Sequence, residues 1–130
     1  MRLLAAVALG GALGSAARWL VAGWVQQRAE SVGGPVALFP AGTLAVNLIG
    51  CFAVGLLAAL FEERLVAGVE WRAFVLIGVL GGFTTFSTFG FETVALVRAG
   101  SLLLAAANAL GSVALGLVGV VLGLALARVL

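Results

Sequence analysis

Long apolar runs make up most of this chain, and its polar residues gather at their ends and at a few interior points. Four runs are long enough for a hydrocarbon layer of about 30 Å, which takes about 20 residues of helix. They are residues 3–25, interrupted by Arg18, and 40–61, the later part of the uncharged run Ser31–Phe61. Residues 73–97, carrying Glu92, and 102–127 follow. The connections Gln26–Phe39, Glu62–Arg72 and Arg98–Ser101 leave no room for a soluble domain. In lipid each run must pair its own backbone groups, and the alternating ten-residue strands of a barrel are absent. The pattern predicts an all-α integral membrane protein, with residues 1–130 forming one four-helix domain. The N-terminal MRLLAAVALGGALGSAARW has the arginine, apolar run and small residues of a signal peptide. The apolar pattern resumes after Arg18, so a first membrane helix is expected instead.

Small residues refine this picture. Gly10/Gly14, Gly78/Gly82 and Gly119/Gly123 are spaced four apart, and Ser112/Gly116 adds another pair, so helix backbones can approach closely there. In the third run, Gly81-Gly82 and then Thr84-Thr85 make poor helix sequence, since glycine costs about 1 kcal/mol relative to alanine in a helix interior. Either a packing pair in a continuous helix or a broken third helix follows; a break is expected. It would release carbonyls in mid-membrane, to be bonded by hydroxyls, buried or given to a hard cation.

Composition narrows the chemistry. The chain is 64% hydrophobic with a mean hydropathy of +1.29, far above the roughly 45–50% apolar content of soluble domains. Its charges are seven arginines and five glutamates, too scattered for a nucleic-acid surface. With no His, Lys, Asp or Tyr and no apparent nucleophile–base pair, an enzyme is not expected. Cys51 stands alone, so no intrachain disulfide forms, and it reads as a small buried hydrophobe. With four spans, Arg2, Arg64, Arg72 and Arg128 share one side, against Arg28 and Arg98 on the other. So weak a bias permits insertion both ways, and two copies could then pair antiparallel.

The intramembrane polar residues are the functional candidates. Asn47 has two N–H donors for another helix or for a ligand. Thr43, one turn earlier, either bonds its own helix or shares that role. Phe83, Phe86 and Phe89 recur every third residue; they serve core packing or present positively polarised ring edges to an anion. Thr85, Ser87 and Thr88 add hydroxyl donors beside them. Donors without fixed charge suit a small anion. Arg18 either snorkels or concentrates anions at a pore mouth, and Glu92 has the same choice of snorkelling or function. Asn108 and Ser112, one turn apart, extend a polar track or tie helices together.

GGALGSAARW (Gly10–Trp19), GTLAVNLIGCFAVG (Gly42–Gly55) and GVLGGFTTFSTFGFE (Gly78–Glu92) resemble signatures of the Fluc/CrcB fluoride channels. The third is the most specific, and the resemblance spans the chain. It implies an antiparallel dual-topology homodimer in lipid, in the prokaryotic plasma (inner) membrane, with fluoride leaving passively through two pathways and protecting the cell from its toxicity. It also implies that Asn47, Phe86 and Phe89 line each pathway, with Thr43, Ser87, Thr88, Ser112 and Glu92 along it and Arg18 at the vestibule. The carbonyls of Gly81 and Thr84 from both subunits would hold a structural sodium ion. An aromatic residue can occupy the Asn108 position in relatives, so no role carries over there. The alternatives are a small dual-topology proton-coupled drug exporter, which needs a carboxylate in a substrate chamber, and an assembly subunit, which needs no polar cluster.

Overall fold

The computed structural model of the chain describes residues 1–63 and 68–130, and the side chain of Glu63 is left aside. Four helical spans are long and apolar enough to cross a membrane, and no strand occurs among the described residues. The protein is a multi-pass membrane protein. Its first span is α1 (Arg2–Val32), which runs past Val25 into the expected connection. Gln26 explains part of this: Nε2 donates to Glu30 Oε1 one turn on, while Oε1 accepts the Gly42 N–H. The helix stops at Gly33, whose φ of 76° disfavours side chains. A short α2 (Gly34–Leu38) then leads to the second span, α3 (Ala41–Glu63).

The expected connection Glu62–Arg72 falls partly outside the described residues, and Arg64 is among those left out. Its end, α4 (Val69–Arg72), opens the third span. That span continues as a π-helical segment Ala73–Val79 and then α5 (Leu80–Phe83). Extended backbone at Thr84 and Thr85 separates it from α6 (Phe86–Arg98). The third span is therefore broken, at the threonines rather than at Gly81-Gly82, which stay helical. After a turn with Gly100 at φ 73°, α7 (Leu102–Val129) makes the fourth span.

Small residues set the packing. α1 lies against the first half of the third span, and α3 against α7. A Cβ at Gly14 would run into the Val79 carbonyl, and one at Gly123 into the Phe52 carbonyl. Gly82 is held likewise against the Gly11 backbone, which explains why it can remain in a helix despite its poor propensity. Cys51 faces Gly116 and is half-buried rather than fully buried as expected. These contacts fix the first half of the third span, while α6 meets chiefly α7.

Candidate functional site

The break is built by one side chain. In an unbroken helix the Thr85 N–H would go to the Gly81 carbonyl. Here it goes to Asn47 Oδ1 at 2.8 Å, and Asn47 Nδ2 donates back to the Thr85 carbonyl at 3.1 Å. Asn47 thus pairs both backbone groups of Thr85, much as a neighbouring strand would. One of its two amide hydrogens is committed to this bond. Thr85 then caps α6: its Oγ1 accepts the Thr88 N–H at 3.3 Å and lies 3.0 Å from Thr88 Oγ1. Ser87 Oγ lies 3.4 Å away on the exposed side. On the other side of the break, Thr84 Oγ1 donates to the Leu80 carbonyl, and Arg18 Nη1 reaches the Thr84 carbonyl at 3.5 Å.

Two clefts meet at Thr85. The smaller, about 380 Å³, is lined by Asn47, Gly81, Thr84, Phe86, Phe89 and Ser112 among others. Among the described residues, no charged side chain lines it. The Phe86 and Phe89 rings stand 5.4 Å apart, tilted by 40°, as their spacing on one helix face requires. Phe89 is half-buried, whereas Phe86 is 83% exposed at the surface of the single chain. The larger cleft, about 1110 Å³, takes in Arg18, Thr43, Thr88 and Glu92. Thr43 Oγ1 does not bond its own helix; it donates to Glu92 Oε1 at 2.9 Å. Glu92 Oε2 is buried without a hydrogen-bond partner among the described residues. The cleft therefore carries both a cation and an acceptor.

The chain thus divides the sequence candidates into two groups. Asn47, Phe86, Phe89, Ser112, Gly81 and Thr84 share one cleft, and Arg18, Thr43, Thr88 and Glu92 the other. Ser87 lines neither. Three contributors have roles that the sequence does not mark. Thr85, one of the hydroxyl donors in the sequence, joins the two clefts. Ser15 Oγ reaches the Gly82 carbonyl at 3.5 Å. Thr93 Oγ1 donates to the Phe89 carbonyl at 2.7 Å and accepts from Asn108 Nδ2 at 2.8 Å. The four-residue step from Phe89 to Thr93 is the sequence signal for the bond to the Phe89 carbonyl.

Among known proteins, residues 5–124 match the family described as "CrcB-like protein, Camphor Resistance (CrcB)". A protein of Solibacter usitatus named "Fluoride-specific ion channel FluC" is 48% identical over 122 residues, 94% of this chain and 95% of that one. Its namesake in Agrobacterium fabrum is 48% identical over 125 residues, covering 96% and 95%. That of Chloroflexus aurantiacus is 40% identical over 128 residues, covering 98% and 97%. These matches take in both sides of the break and both clefts. The chain belongs to the CrcB family.

Proposed function

We propose that the protein is a fluoride-selective channel that lets fluoride leave the cell passively, down its electrochemical gradient, and so limits fluoride toxicity. The observation that carries this is the lining of the smaller cleft: an amide, hydroxyls and two phenylalanine rings, with no charged side chain among the described residues. A small anion entering the membrane loses a hydration energy on the order of tens of kcal/mol. Hydroxyl and amide donors and positive ring edges offset that loss without the deep trap a full cation would make. Arg18 in the larger cleft raises the local anion concentration, and Thr43, Thr88 and Glu92 continue the polar route toward it. Relatives covering nearly all of this chain are named as ion channels, which agrees with transport rather than catalysis.

The working unit is an antiparallel homodimer in lipid. Phe86 and Gly81 are both exposed in the single chain and both line the smaller cleft, where a second copy would cover them. A structural sodium ion between the copies fits the donor set. The Gly81 carbonyl has lost the Thr85 N–H to Asn47, and Thr84 has a carbonyl in the break. Arg18 competes for the Thr84 carbonyl only at 3.5 Å. Sodium would supply the positive charge that converging carbonyl dipoles need.

Fluoride efflux from proteoliposomes loaded with potassium fluoride tests this. Release should start when a potassium ionophore compensates the charge, and a proton shunt should substitute for it. Removing sodium from both sides should slow release or loosen the dimer, whereas a sodium gradient should not drive it. Release that needs a proton gradient, or no release at all, would sink the channel.

A further inference from the structure

Asn108 lies near the start of α7 and is only 1% exposed. A buried amide inside a membrane must find partners. Its Nδ2 donates to Thr93 Oγ1 at 2.8 Å, and its Oδ1 accepts from Ser112 Oγ at 3.4 Å. A threonine hydroxyl has one hydrogen, so accepting from Asn108 directs that hydrogen elsewhere. It goes to the Phe89 carbonyl at 2.7 Å. A hydrogen-bonded line therefore runs from α7 into the backbone of α6, at the residue whose ring pairs with Phe86.

This line matters because α6 does not inherit its position from the rest of its span. The break at Thr84 and Thr85 uncouples it from α5. Two side-chain ties hold it to α3, through Asn47–Thr85 and Thr43–Glu92. Asn108–Thr93 is the side-chain tie to α7. Asn108 lines neither cleft, so an ion in either would not touch it.

We infer that Asn108 is a positioning residue for Phe89: acting through Thr93, it sets the rotation of α6 and hence where the Phe89 edge stands in the smaller cleft. The inference rests on Phe89 flanking the fluoride route, as proposed above. Asn108→Leu removes the amide and leaves an apolar side chain of similar size. Thr93→Val removes the hydroxyl, and Thr93→Ser restores it.

Two measurements test the inference together. One is fluoride efflux from liposomes, and the other is the ¹⁹F resonance of 4-fluorophenylalanine placed at position 89. Asn108→Leu and Thr93→Val should each slow efflux by about three- to twentyfold, the span covered by one membrane hydrogen bond. The double variant should be no slower than Thr93→Val, because both act on one line. The ¹⁹F resonance should shift in both single variants and return in Thr93→Ser, while elution of the assembled protein stays unchanged. If Asn108→Leu fails to assemble, Thr93→Val and its serine rescue carry the same test. An unmoved resonance in Thr93→Val, or losses that multiply in the double variant, would overturn the inference. Wild-type protein that passes no fluoride would instead defeat the channel, while the resonance would still decide whether Asn108 positions the ring.

Discussion

At the scale of single residues, Asn47 does two things that one substitution can separate from simple packing. It satisfies both backbone groups of Thr85, and it keeps an amide hydrogen for the cleft. Asn47→Asp can still accept the Thr85 N–H. It can no longer donate to the Thr85 carbonyl, and it sets a negative charge on the proposed anion route. Fluoride efflux through the assembled Asn47→Asp protein should fall about a hundredfold or more, the equivalent of about 2.7 kcal/mol. Efflux at the normal rate in a properly assembled variant would take Asn47 off the route. Asn47 stood out in the sequence, because an amide in mid-span is costly and therefore conspicuous. Its partner was not, because Thr85 lies far along the chain and offers only backbone atoms, which carry no residue signature. The same holds for Thr43, whose partner Glu92 could be found only once α3 and α6 were packed.

At the scale of helices, the four-residue spacing of small residues foretold the close contacts, since that spacing alone puts them on one face. Gly10 and Gly14 do face the Gly78–Phe83 stretch. The precise break was harder to place. Propensity points to Gly81-Gly82, but Gly82 is spent on contact with α1, and the helix ends where Asn47 takes the Thr85 N–H. Tertiary hydrogen bonding overrides local preference here. The π-helical segment Ala73–Val79 likewise has no marker in the sequence. Two neighbouring glycines separate packing from propensity. Gly14→Ala would drive a Cβ into the Val79 carbonyl, whereas a Cβ at Gly11 meets nothing within 4 Å. Gly14→Ala should destabilise the protein by about 1–3 kcal/mol, as overpacking does. Gly11→Ala should be neutral or slightly stabilising. Thermal unfolding in detergent checks this, and equal loss in the two variants would contradict the packing.

At the scale of the whole molecule, four helical spans were evident from apolar length alone, because lipid leaves the backbone no other economy. The pathway was less so, since one chain divides its candidate residues between two clefts and leaves Phe86 83% exposed. An antiparallel second copy would cover that ring. The small arginine imbalance allows both insertions, so reporters fused to the C-terminus should be found on both membrane faces. A C-terminus confined to one face would exclude the antiparallel pair. Transport itself is tested most directly by the reversal potential of purified protein in a planar bilayer with unequal fluoride on the two sides. A fluoride-selective channel should reverse near the fluoride equilibrium potential, shifting about 59 mV for each tenfold fluoride gradient. Imposed chloride, sodium or proton gradients should leave that potential in place. A reversal potential that follows protons or chloride, or a bilayer that carries no fluoride current, would contradict the account.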